Sequence, residues 1–256
     1  MNNLIKKPFY LVDFNSSLCN YQIFINDIPC YFHNDNTSMA THLPINQLIF
    51  KSGIQNLHIK VFPLIGEKKI QTYAFLKLKI NVYDALTNNY ENISTIFDYD
   101  AINLDATEKS YIEIIEKFDC KIEYESLFFL KAQKITIKKD EVVEFYQKLH
   151  NHFKNYEVDK VLNLFNNRLT EIDKSLFIED SNNKNELEKV FNNLKNENYK
   201  IVDFPKNPIF TVYNEKIISL VDSLNNSILF FKNPLGDEFQ LHLVSIQTKK
   251  GIEVFR

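Results

Sequence analysis

The sequence predicts an α+β protein built in two parts. An N-terminal antiparallel β-sandwich-like domain is followed by a helical hairpin and a third helix packed on a C-terminal antiparallel sheet. Three observations carry this. Apolar and polar residues alternate with period two through much of the first half. From 140 to 177 the apolar residues recur at three-and-four spacing, and after Ile201 short apolar runs return between turn signals. The boundary is expected near Lys138, giving domains 1–138 and 139–256.

Phe9, Tyr10, Leu11 and Val12 open the chain as a first strand, closed by Asn15-Ser16-Ser17 as a turn. Residues 21–25 and 28–32 flank Asn26-Asp27 as a tight hairpin. Pro29 then requires an edge, since proline donates no ladder hydrogen bond. The polar stretch 33–42 reads as a loop. Beyond Gly53, Leu57, Ile59 and Val61 take one side of a strand, and His58, Lys60 and Phe62 the other. Leu76, Leu78, Ile80 and Val82 alternate likewise with Lys77, Lys79, Asn81 and Tyr83. Such strands bury one face and wet the other. Residues 83–107 read as a connection and 108–118 as a short helix with Ile112 and Ile115 inward. Residues 120–124 and 128–137 read as extended chain returning to the first sheet.

The helical pair follows. Val142, Phe145, Tyr146, Leu149 and Phe153 share one helical face, with Asp140 as N-cap and Glu141 and Glu144 near the positive end of the helix dipole. Asn155-Tyr156 breaks the phase. Val158, Val161, Leu162, Phe165, Leu169, Ile172 and Leu176 then repeat the stripe. A third helix over 185–197 turns Leu187, Val190, Phe191 and Leu194 to one side, opened by an Asn183/Glu186 pair in capping-box spacing. Five strands close the chain as a meander: 209–213, 216–221, 228–231, 238–245 and 252–255.

Composition excludes more than it assigns. A net charge of -3 leaves no basic footprint for nucleic acid, and Arg168 and Arg256 are the only arginines. Four glycines, Gly53, Gly66, Gly236 and Gly251, are too dispersed to cradle phosphate. No apolar run is long enough to span a bilayer, and the N-terminus lacks a signal-peptide h-region. A cytoplasmic protein without nucleic-acid or membrane partners is expected. Cys19, Cys30 and Cys120 match no zinc or redox spacing and read as buried free thiols, with a Cys19–Cys30 disulfide as the alternative.

Histidine and carboxylate spacings bring no catalytic group together. His150 and His152 lie about 200° apart around a helix and cannot share one metal. His33, His42 and Asp35 flank a polar loop that reads as solvated, and His58 and His242 read as exposed strand positions. Asp98 with Asp100, and Asp237 with Glu238, sit in expected turns rather than across a pocket. No catalytic, cofactor-binding or metal residue is assigned, and no cofactor is expected. Aromatics that break the alternation, Phe62 and Tyr83, are the candidates for a partner surface.

Ile25-Asn26-Asp27-Ile28-Pro29, Leu43-Pro44-Ile45-Asn46 and Ser52-Gly53 ahead of the strand at 57–63 resemble a pattern in uncharacterised bacterial proteins of polymorphic-toxin and type VI secretion loci. Residues 143–169 with the closing meander resemble their C-terminal half, although Gln47 and Leu48 stand where a tryptophan is expected nearby. The resemblance implies an immunity or effector-associated protein whose partner is a cognate toxin. It carries over no site residue. The C-terminal half also resembles nuclear transport factor 2-like folds, which implies a pocket between helices and sheet. The function expected is therefore non-enzymatic protein binding. The alternative is a small-molecule-binding, hydrolytic or isomerase enzyme using that pocket.

Overall fold

The computed structural model describes residues 5–87, 93–101 and 109–256. The chain divides into two compact units, Met1–Glu125 with Ser175–Phe177, and Ser126–Lys174 with Ile178–Arg256. The fold is α+β, with antiparallel sheets throughout and the long helices in the C-terminal half.

The first unit is built from β1 (Pro8–Ser17), β2 (Asn20–Ile25), β3 (Ile28–His33), β4 (Met39–Pro44), β5 (Gly53–Phe62), β6 (Phe75–Asp84), β7 (Ser94–Ala101) and β8 (Ile112–Cys120). They form two sheets in the orders β4-β1-β6-β7 and β3-β2-β5-β8. The alternating residues fill the space between: Leu57, Ile59 and Val61 of β5 and Leu76, Leu78 and Ile80 of β6 are fully buried. Each such side chain contributes about 1.5–3 kcal/mol through loss of apolar surface. Phe14 of β1 reaches the other sheet, meeting Tyr21 edge-on at 5.9 Å and Tyr31 at 4.7 Å.

Asn26 and Asp27 both have positive φ (53° and 65°), the backbone of a two-residue hairpin turn whose twist matches its strands. Pro29 lies on β3, an edge strand.

Several local expectations are corrected. Asn15, Ser16 and Ser17 belong to β1, paired with β6 and partly with β4, and the chain turns instead at Leu18 (φ 60°). Part of the expected loop at 33–42 is the start of β4. The expected helix at 108–118 is strand β8, paired antiparallel to β5 from Gly53↔Cys120 to Val61↔Ile112; Glu108 lies outside the described residues. Isoleucines three apart satisfied a helical period, but the ladder groups of β5 need a partner strand. The expected connection at 83–107 contains β7, paired with β6; 88–92 and 102–107 lie outside the described residues. Residues 128–137 join neither sheet of the first unit. They include part of a one-turn helix, α1 (Leu127–Leu130), and an isolated bridge from Gln133 to Gln247.

The second unit packs α2 (Lys139–Lys154), α3 (Val158–Ser175) and α4 (Asn183–Asn196) on short strands. The strands are β9 (Lys200–Ile201), β10 (Ile209–Tyr213), β11 (Ile217–Val221), β12 (Phe230–Lys232), β13 (Glu238–Gln240), β14 (Val244–Thr248) and β15 (Gly251–Val254). They make two sheets, β10-β11-β14-β15 and β13-β12-β9, rather than one five-stranded meander. The expected strand 238–245 is split, its halves serving different sheets. One core joins Val142, Tyr146, Leu149 and Phe153 of α2 to Val161 and Phe165 of α3, Phe191 and Leu194 of α4, and Ile218 and Leu220 of β11.

Two caps also shift. α2 begins at Lys139, with the Lys138 N–H donating to Glu141 Oε1 at 3.4 Å, so Asp140 lies inside the helix. α4 is capped by Asn182, whose side chain accepts from the Asn185 N–H at 3.1 Å, rather than by Asn183. The three cysteines are free thiols, Cys19 and Cys120 buried and Cys30 half-buried; burial pushes each thiol up to about 12.

His150 gives the second unit a pH dependence. It is 2% exposed on α2, donates from Nε2 to the Val202 carbonyl at 2.8 Å and meets Phe204 edge-on. Burial holds its pKa below the ordinary 6.5, against the opposing pull of the Val202 bond. Lys154 lowers it further and Asp203 opposes that. The unfolded chain therefore takes up this proton first as pH falls. The stability His150 lends is full above pH about 6.5 and drains as pH falls through the lower folded value. Urea unfolding of the second unit should weaken between pH 7 and 5, and less steeply in His150→Gln. Equal slopes in both proteins would refute this assignment.

Candidate functional site

The outer face of sheet β3-β2-β5-β8 carries large apolar side chains among its polar ones. With Leu57, Ile59 and Val61 turned inward, alternation sends Ile54, Asn56, His58, Lys60 and Phe62 of β5 outward. Register places Ile115 of β8 opposite His58 and Glu113 opposite Lys60. Ile115 is 67% exposed, Ile54 64% and Tyr111 41%. These apolar side chains gain little where they stand, since most of their surface remains in water.

Aromatic contacts tie the face together. Phe24 of β2 packs at 5.5 Å from Phe32 of β3 and 5.7 Å from His58, with Lys60 Nζ 5.4 Å from its ring centroid. Phe62 packs on Tyr111 at 5.5 Å. Among them sits a polar pair, His58 Nε2 at 2.6 Å from Glu113 Oε1. The His58 bond, with a hydrogen bond from Tyr111, holds the Glu113 carboxyl below its usual range, so it stays ionised. The result is a mixed face, with Ile54, Ile115, Tyr111 and Phe62 set among Asn56, Lys60, Lys117, Asp119 and the hydrogen-bonded His58–Glu113 pair.

Phe62, one of the two pattern-breaking aromatics, lies on this face. Tyr83 does not mark a surface: it is buried against Phe9 at 5.1 Å. Ile115, expected inward on a helix, instead stands outward on β8, and Tyr111 and Ile54 carry no signal of their own in the sequence.

Other singled-out residues have local partners. His33 is buried, its Nε2 2.9 Å from the Thr37 carbonyl and 3.4 Å from Asp35, stacked on Tyr21. His42 is exposed on β4 opposite Asp13. His152 pairs with Glu157 at 2.5 Å. His242 falls between β13 and β14 rather than on a strand. Asp98 sits on β7, not in a turn, 3.0 Å from Lys79, and Glu238 pairs with Lys232 at 2.7 Å. Ser52 Oγ donates to the Ile122 carbonyl. Among the described residues no group of three or more His, Cys, Asp or Glu side chains is placed to hold a metal ion.

The second unit contains a cleft of about 740 Å³ between α3 and the β14–β15 hairpin, with residues 130–133 along one side. No histidine, cysteine or serine lines it. Of its carboxylates, Glu253 accepts from Asn167 and from the Thr248 hydroxyl, and Glu171 lies 3.9 Å from the Arg256 guanidinium. Compared with protein-family models, curated proteins and solved structures, the chain matches none of them.

Proposed function

We propose that this chain is a non-enzymatic protein-binding protein, an immunity protein that neutralises a cognate bacterial toxin by direct contact in the cytoplasm. The outer face of sheet β3-β2-β5-β8 is its contact surface. The observation that supports this reading is Ile54, Ile115 and Tyr111 left in water on one sheet face, with half-buried Phe62 packed on Tyr111. Protein contacts draw most of their energy from a few aromatic and aliphatic anchors that are exposed before binding and dry after it. Blocking another protein requires no catalytic group. The His58–Glu113 pair, fixed among those anchors, would set register, since a partner must answer it with polar groups or forfeit its solvation.

Co-expression tests the proposal. The chain should rescue cells from the toxin encoded beside it and co-purify with that toxin. Rescue without a complex, or turnover of a small substrate by the purified chain, would replace this reading with the enzyme alternative.

A further inference from the structure

We propose that the cleft between α3 and the β14–β15 hairpin binds an organic anion: an apolar or aromatic body carrying one carboxylate, phosphate or sulfonate group. This stands apart from the toxin-binding reading, which uses the other unit.

The carboxylates of the cleft already have partners within the protein. Glu253 accepts from Asn167 Nδ2 at 2.6 Å and from Thr248 Oγ1 at 2.5 Å, one donor on each oxygen. Glu171 lies 3.9 Å from the Arg256 guanidinium, and both side chains are mostly buried. The Glu171 charge is thus paired, and Glu253, held by neutral donors, leaves one negative charge at the cleft. Three ammonium groups remain, on Lys131, Lys249 and Lys250. Among the described residues these three reach no carboxylate, and two of them are adjacent on a hairpin turn. Like charges gathered without a counter-ion at a concave surface focus a positive potential there.

Shape and polarity complete the case. About 740 Å³ lies within the roughly 300–1,000 Å³ range of small-molecule sites. Leu130, 59% exposed at the rim, offers apolar surface. Lysine stems add more while their heads stay in water. Such a lining favours an amphipathic anion over a small inorganic one.

The test uses the full chain and two dyes sharing one body, 8-anilinonaphthalene-1-sulfonate and its uncharged parent N-phenyl-1-naphthylamine. The sulfonate should saturate one site. The neutral parent should bind at least about tenfold more weakly, and added sodium chloride should weaken the sulfonate only. Reversal of Lys131, Lys249 and Lys250 to glutamate should lower sulfonate affinity at least about tenfold, and their replacement by arginine should preserve it. These exposed positions permit folding, which circular dichroism checks. The salt titration on the unaltered chain decides independently of any variant. Absence of a saturable site, equal binding of both dyes, or indifference to salt or charge reversal would overturn the proposal.

Discussion

Replacing Phe153 by alanine should cost the second unit about 3–5 kcal/mol of unfolding free energy. Phe153 is 2% exposed, and its ring on α2 packs against α3, α4 and β12. It meets Phe165 of α3 at 5.7 Å, Phe191 of α4 at 5.3 Å and Phe231 of β12 at 6.2 Å. Alanine forfeits the burial of the ring and leaves a cavity that three helices and a sheet cannot close without moving one another. Phe153→Leu, which keeps most of the volume, should cost much less. Urea unfolding followed by helical circular dichroism measures both. A loss under about 1 kcal/mol in Phe153→Ala would mean that this ring is not the keystone of the core.

Asn46→Ala should destabilise the first unit by removing a surrogate for strand pairing. Asn46 opens a 3-10 turn after β4 and is fully buried. Its Nδ2 donates to the Pro8 carbonyl at 2.9 Å, and its Oδ1 accepts from the Tyr10 N–H at 2.6 Å. The amide thus serves the start of β1 where β4 has ended. Its own carbonyl accepts the Tyr124 hydroxyl. Alanine leaves one main-chain donor and one acceptor of β1 buried without these partners, at about 1–3 kcal/mol each. Asn46→Asp should be no better, because a carboxylate has no donor for Pro8. Urea unfolding followed by the strand circular dichroism would contradict this if Asn46→Ala stayed within about 0.5 kcal/mol of the parent.

Much of this architecture is legible locally. The stripes on α2 and α3 lie within single helices, and the alternation of β5 and β6 is a property of ten consecutive residues in each. What escaped depends on partners far along the chain. Ile112 and Ile115 fit a helical period until β5 claims their backbone, and then Ile114 points inward and Ile115 outward. The break between β13 and β14 follows from β12 and β11 pulling the two halves into different sheets.

The candidate face was half legible for the same reason. Phe62 breaks the alternation of its own strand and is visible there. Tyr111 and Ile115 join it only when β8 pairs with β5. Tyr83 breaks the pattern equally well, but Phe9 on the neighbouring strand covers it. Lys131 of the cleft comes from a segment distant from the Lys249-Lys250 pair, so the three carry no joint signal in sequence.

The most direct test of the proposed function is the affinity of the purified chain for an inactivated form of the proposed cognate toxin, measured for the parent, Ile115→Asp and a glutamate-reversed Lys131/Lys249/Lys250 variant. The account predicts a stoichiometric complex with the parent and an unchanged one with the lysine variant. Ile115→Asp should weaken the complex at least about 30-fold, the cost of losing about 2 kcal/mol at one anchor. A parent chain that forms no complex, or an Ile115→Asp chain that binds as tightly as the parent, would contradict it.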